Sequence, residues 1–289
     1  MIYDFLIAPF AEFDFMKRAL VGSLALALGS GPIGVFLMLR RLSLTGDAMA
    51  HAILPGAAVG YLIAGLSLPA MTIGGMVAGV TVAFLSGLVS RFTALKEDAS
   101  LATFYLLSLA LGVVLVSARG SNVDLLHVLF GTVLALDDAA LFLIAGIATV
   151  SVLTLAAIYR PLVLECVDPG FLRSVSNAGA PVHMVFLALV VMNLVGGFHA
   201  LGTLLAVGLM MLPAAAARMW TQDVTVMLIL SAIGGAVSGY IGLLVSYHWS
   251  LPAGPAIILS AGGLYLASLA FGAQGGFVQR LVPVRHLEA

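Results

Sequence analysis

Residues 19–39 read ALVGSLALALGSGPIGVFLML, an apolar run without a single charged side chain. A helix needs about 20 such residues to cross the hydrocarbon core of a bilayer, so this stretch alone spells a transmembrane span. Outward from it the pattern repeats. Hydropathy marks eight further spans near 47–65, 70–90, 101–118, 139–158, 182–197, 201–217, 224–245 and 253–271. An additional apolar stretch at 125–136 is too short to cross and runs into Asp137 and Asp138, so it reads as a re-entrant or interfacial helix. The expected fold is all-α: a polytopic transmembrane helical bundle of about nine spans, with eight as the alternative, forming one domain over residues 1–289.

Composition points the same way. Of 289 residues 62% are apolar and 9% are Asp, Glu, Lys or Arg, with a mean hydropathy of +1.17. A soluble domain carries about 25% charged residues, so an ordinary soluble domain is excluded. The formal charge of −1 and the lack of any long Lys/Arg run remove nucleic acid as a partner. Cys166, the only cysteine, has no mate for an internal disulfide. The first 17 residues contain Asp4, Glu12 and Asp14 and lack the basic start of a cleavable signal, so they read as an amphipathic lead-in to the first span.

Orientation follows from Lys and Arg, which are enriched in cytoplasmic loops. Arg40, Arg41, Arg91, Lys96, Arg160, Arg173, Arg218, Arg280 and Arg285 fall on one side; Lys17, Arg18 and Arg119 fall on the other. That bias places the N-terminus outside and the C-terminus in the cytoplasm, and it requires an odd number of spans. The longest internal loop then covers 159–181 and carries Asp168-Pro169-Gly170-Phe171-Leu172-Arg173, a turn signal followed by a mildly amphipathic stretch. It reads as a docking element on the cytoplasmic face, the alternative being a plain solvated connector. Glycines four apart (Gly56 and Gly60, Gly75 and Gly79, Gly235 and Gly239) predict close helix packing.

Ionisable groups inside spans are costly in hydrocarbon and therefore informative. Residues 42–56 read LSLTGDAMAHAILPG and set Asp47 and His51 four apart, on one face of a helix one turn from each other. A carboxylate and an imidazole so placed can share a divalent cation, and their donors suit Zn²⁺, Mn²⁺ or Fe²⁺. Pro55 removes a backbone donor just beyond the pair and predicts a kink. The alternative is structural: Asp47 caps the helix while His51 bonds a neighbouring helix. His127, near Asp124, and His199 are weaker candidates for an entrance, as is His248; each reads more readily as an interfacial residue. His183 and His286 fall on the cytoplasmic side without a carboxylate nearby in sequence. No phosphate-binding Gly-x-x-x-x-Gly-Lys-Ser/Thr loop, His-Glu-x-x-His, Gly-x-Ser-x-Gly or Gly-x-Gly-Asp motif occurs, so the chain does not read as an enzyme.

The 40–56 block closely resembles the signature of the zinc and manganese permeases of ATP-binding-cassette importers. Leu129-Phe130-Gly131 is similar to another stretch of that family, Asp168-Pro169 with Phe171 and Arg173 to its cytoplasmic coupling segment, and 200–218 to its late helix. The departure is 174–179, SVSNAG, where the family has a small-Leu-Gly pattern. The resemblance covers about residues 18–272. It implies a multi-pass permease of the bacterial cytoplasmic membrane that works as a homodimer with two cytoplasmic ATP-binding subunits and an extracytoplasmic metal-binding protein. It also implies that Asp47 and His51 lie on the metal path and that Asp168, Pro169, Phe171 and Arg173 meet the ATPase. No resident cofactor is expected; the metal is cargo. Histidines near the outer face favour Zn²⁺ over Mn²⁺, with Fe²⁺ third. A proton-coupled secondary transporter, with Asp47 and His51 as relays, is the alternative of a different class.

Overall fold

The computed structural model describes residues 2–42, 44–65, 67–93, 95, 97–117, 133–176, 179–274 and 276–277. Every regular element among them is helical, as lipid demands when each backbone donor and acceptor must be satisfied within its own segment. Short helices α1 (Ile2–Leu6) and α2 (Ala8–Glu12) precede α3 (Asp14–Leu39). Then come α4 (Thr45–Ala52), α5 (Leu54–Ala64), α6 (Leu68–Phe92) and α7 (Glu97–Ser117). After a 3₁₀ turn at Val133–Ala135 follow α8 (Asp138–Val167), α9 (Pro169–Val175), α10 (Gly179–Leu201), α11 (Thr203–Arg218), α12 (Val224–Trp249) and α13 (Ala253–Phe271).

Among the described residues, eight segments are long and apolar enough to cross a membrane, α4 and α5 counting together as Thr45–Ala64. The ninth expected span, 201–217, is the exception. Helix α11 has 16 residues, about 24 Å at 1.5 Å per residue, against a hydrocarbon core of about 30 Å. It still runs from one face of the bundle to the other. Leu205 near its start packs in the cluster of Phe10 and Met16, and Ala214 near its end packs with Val35 and Met227. Flanked by α3, α12 and α13, α11 packs mostly against protein, with Leu204 left exposed. Its end lies beside the end of α13, where the Gln274 amide donates to the Met219 carbonyl at 2.8 Å. The N-terminal helices lie at the opposite face, where the Tyr240 hydroxyl donates to the Leu6 carbonyl at 2.9 Å. With α11 added to the eight long apolar segments, nine described segments run between the two ends of the bundle.

The connector expected over 159–181 is mostly helix instead. Pro161 removes one backbone donor without a breaker around it, and α8 continues to Val167 until Asp168-Pro169 starts α9. At 30 residues, α8 is about 45 Å long and projects beyond any bilayer core. Asp137 and Asp138 have separate tasks at its other end: Asp137 accepts from the Ala140 amide at 2.8 Å as N-cap, and Asp138 meets Arg18 at 3.0 Å. Of the short helix expected at 125–136, only the turn at Val133–Ala135 lies within the described residues.

Small residues hold the bundle together, because lipid supplies no hydrophobic force to press helices against one another. Gly56 and Gly74 bring the backbones of α5 and α6 into contact, and Gly60 does the same against Ala70. Gly235 and Gly239 of α12 receive Ala27 and Ser23 of α3. The tightest approach is Gly34 of α3 on the Met210 carbonyl of α11, where any Cβ would collide with backbone. Gly34→Val is expected to cost at least about 1–3 kcal/mol, the usual range for overpacking. Gly263→Ala, at a position with open space around it, should be neutral. Thermal unfolding in detergent measures both, and equal midpoints for the two variants would contradict the packing argument.

Candidate functional site

Helix α3 ends at Leu39, and the chain turns through Arg41, whose φ of 60° lies in the left-handed region, into α4. Here Asp47 and His51 lie one turn apart. His51 Nε2 is 3.9 Å from Asp47 Oδ1, beyond hydrogen-bond range and well suited to two groups facing a common guest. The His51 side chain is 30% exposed and that of Asp47 68%. Asp47 does not cap α4: the N-cap position is Leu44, no side chain makes a capping bond there, and Asp47 sits in the first turn. The His51 ring has Tyr105 of α7 at 6.4 Å between centroids.

Beyond the pair, Pro55 breaks the helix into α4 and α5 and packs on Gly112 of α7. The Ala52 carbonyl at the break accepts from the Ser108 hydroxyl at 2.9 Å. The kink is therefore held by α7 rather than left loose. Between the starts of α4 and α7 opens a cleft of about 170 Å³ lined by Thr45, Asp47, Asp98, Leu101 and Tyr105 among others. Asp98 escapes a reading by sequence because it belongs to a run of charged residues at a helix start, where an acid is unremarkable. Among the described residues no three His, Cys, Asp or Glu side chains converge as a cation cage. Asp47 and His51 therefore need water, other donors or a second chain to complete a shell.

At the same end of the bundle Arg40, Glu165 and His183 come together. Arg40 Nη2 lies 3.2 Å from Glu165 Oε1, both side chains being 12% exposed. Arg40 also stands over the Phe186 ring at 5.6 Å. His183 Nδ1 approaches Glu165 Oε1 at 4.0 Å, so the carboxylate missing from its sequence neighbourhood arrives from α8. Next to this cluster α9 opens at Asp168, whose side chain accepts from the Phe171 amide at 2.9 Å. Leu172 turns inward, while Phe171 and Val175 are exposed, which makes α9 an amphipathic helix lying at the end of the bundle. Pro169 and Arg173 occupy its first turn and its second half.

The outer histidines fare differently. His248 is engaged in structure: its Nε2 is 2.9 Å from the Phe5 carbonyl, and its ring stacks on Phe5 at 4.1 Å. It anchors α1 to α12. His127, Asp124, Leu129-Phe130-Gly131 and His286 lie outside the described residues, and His199 is placed only as a position in the last turn of α10.

A polytopic helical bundle with ionisable side chains lining a cleft at a kinked helix is consistent with a membrane transport protein. The family model described as the ABC 3 transport family matches residues 12–272, and the chain belongs to that family. Its family is a transport family, and its relatives are named as permease or membrane proteins of transport systems. It is 31% identical over 268 residues to the manganese import system permease protein ScaB of Streptococcus parasanguinis, covering 93% of this chain and 94% of that one. It is likewise 31% identical over 270 residues to the manganese transport system membrane protein MntC of Halalkalibacterium halodurans, covering 93% and 91%. The solved structure of PsaBC from Streptococcus pneumoniae in complex with Fab superposes with a TM-score of 0.84 at 28% identity, covering 98% of this chain and 100% of that one.

Proposed function

We propose that the chain is the membrane-spanning subunit of an ATP-driven importer of divalent transition-metal cations, with Mn²⁺ as its cargo. Manganese replaces the zinc favoured by sequence. That preference rested on histidines near the outer face, and His248 is taken up by the Phe5 carbonyl, while the relatives that align over nine-tenths of the chain are named for manganese. The observation that carries the reading is the Asp47–His51 pair, held one turn apart on an open face of α4. Because Asp47 is so exposed, the pair lies at the edge of a single chain, where a second copy across a two-fold axis would close the passage.

In this arrangement Asp47 and His51 exchange part of the cation's water shell for one oxygen and one nitrogen. Two ligands are enough to lower the barrier and too few to trap the ion. The amphipathic helix α9, capped by Asp168, offers Phe171 and Val175 to an ATP-binding subunit at the Lys/Arg-rich, cytoplasmic face of a bacterial inner membrane. An extracytoplasmic metal-binding protein delivers the ion to the face that carries α1 and α2. Radiolabelled Mn²⁺ uptake by a manganese-starved bacterium expressing the complete assembly tests this. Uptake should require intact ATPase subunits, survive collapse of the proton gradient, and be inhibited more by unlabelled Mn²⁺ than by Zn²⁺. Uptake that persists without the ATPase subunits and vanishes with the gradient would identify a secondary transporter instead.

A further inference from the structure

Pro55 cuts α4 off from α5 and leaves it eight residues long. Isolated helices shorter than about 12–15 residues are marginal, so α4 depends on what packs against it. His51 is its last residue but one, in the turn where fraying starts. Helix α7 supports that turn with Tyr105, Ser108 and Gly112, which lie three and four apart on one of its faces. Tyr105 sets its ring 6.4 Å from the His51 ring, at 31° between the planes. Ser108, 8% exposed, donates its hydroxyl at 2.9 Å to the carbonyl of Ala52, the residue after His51. Gly112 lets Pro55 come so close that a Cβ there would stand 3.2 Å from the Pro55 nitrogen. The Ser108 bond is not the usual one for a helical serine. Ser30, Ser231, Ser238 and Ser260 spend their hydroxyls on carbonyls of their own helix, three or four residues back, whereas Ser108 reaches across to another helix.

We propose that Ser108 and Tyr105 are positioning residues for the metal pair: through the last turn of α4 they fix where His51 stands against Asp47. The inference rests on the permease reading and deepens it. Neither residue supplies a ligand; both act through the imidazole. Ala52 is fully buried, so loss of the Ser108 hydroxyl leaves its carbonyl without a partner away from water. The carbonyl can find a new partner only if the turn that carries it rotates, and that turn carries His51. Asp47 belongs to the first turn and stays in place. The 3.9 Å separation of the two side chains is therefore set by α7 as well as by the helix they share.

Mn²⁺ binding to the purified permease in nanodiscs, followed by loss of the free-ion paramagnetic resonance signal, tests this, with Zn²⁺ as competitor. Ser108→Ala should weaken Mn²⁺ by about tenfold, the low end of what removal of a group that orients a ligand costs. The unfolding midpoint should fall by only about 2–5 °C. Ser108→Thr keeps the hydroxyl and has room for its methyl in the apolar groove of about 530 Å³ that Ser108 borders between α5, α6 and α7, so it should restore binding. Zn²⁺, which favours imidazole nitrogen more than Mn²⁺ does, should lose more affinity than Mn²⁺ in Ser108→Ala. Tyr105→Leu should bind more weakly than Tyr105→Phe, which keeps the ring beside His51. Wild-type affinity in Ser108→Ala and Tyr105→Leu, with binding lost in Asp47→Ala, would overturn the positioning role and leave the metal path standing. A loss in Ser108→Ala that Ser108→Thr does not repair, or one equal for the two metals, would mark a general loosening of the bundle and overturn it too. Unchanged binding in Asp47→Ala as well would overturn the metal path beneath it.

Discussion

Asp47→Ala is expected to reduce uptake of the proposed Mn²⁺ cargo to background, and His51→Ala to do the same. Losing even an outer-shell partner of a metal costs about 10–100-fold in affinity or activity; on the proposed path each variant removes a direct donor, so the loss should exceed about a hundredfold. The double variant should be no worse than either single one, because groups that act as a unit fail as a unit. Neither change should harm the fold. Asp47 is 68% exposed, makes no capping bond and leaves no buried partner behind, so its removal stays within about 0.5 kcal/mol. Asp47→Glu keeps the charge but displaces it along the helix face, and an intermediate rate is expected. Initial rates of labelled Mn²⁺ uptake, divided by the amount of permease in the membrane, measure the series. Wild-type rates in both alanine variants would remove Asp47 and His51 from the path.

The spans were legible because the constraint that produces them is local: about 20 apolar residues satisfy one bilayer wherever the chain goes next. Hydropathy therefore located α3, α6, α12 and α13 directly. It failed where the neighbour of a helix is protein instead of lipid. Helix α11 is short where α3, α12 and α13 flank it, and α8 runs past the apolar stretch until Asp168-Pro169 starts α9, its end carrying Glu165 paired with Arg40. The Asp47–His51 spacing could be read from residues four apart, since helical geometry converts that number directly into a shared face. Asp98 in the cleft and the Arg40–Glu165 pair could not. The elements they meet lie tens of residues away, 125 in the last case, and nothing in a single sequence announces which helix ends meet. The proposed cargo follows the relatives, which are named for manganese, while His248, read from sequence as an interfacial residue, bonds a backbone carbonyl of α1.

Glu165→Ala should be among the most damaging single substitutions in the bundle. It leaves the Arg40 guanidinium 12% exposed, over the Phe186 ring and without its counter-charge. Breaking one partner of a buried ion pair costs about 3–5 kcal/mol, which for a chain of this size lowers the unfolding midpoint by roughly 6–20 °C. The pair itself need not be worth that much. Arg40 Nη1 and Glu165 Oε2 are buried without hydrogen-bond partners, so part of its Coulombic gain is spent on incomplete desolvation. The double variant Arg40→Met/Glu165→Leu, which fills similar volume without charge, should therefore unfold within a few degrees of wild type. Scanning fluorimetry in detergent compares the three proteins, and a double variant as unstable as Glu165→Ala would contradict this. The transport rate of the rescued protein carries the second half of the argument. Arg40 stands at the exit of α3, just before the turn into α4, and Glu165 stands three residues before the Asp168 cap of α9. The pair thus ties the end of α3, where the chain turns toward the helix carrying Asp47 and His51, to the end of α8, next to α9, the helix proposed to meet the ATPase. If stability returns in the double variant while uptake stays low, the charge pair serves the transmission of movement between those two helices rather than the strength of the fold.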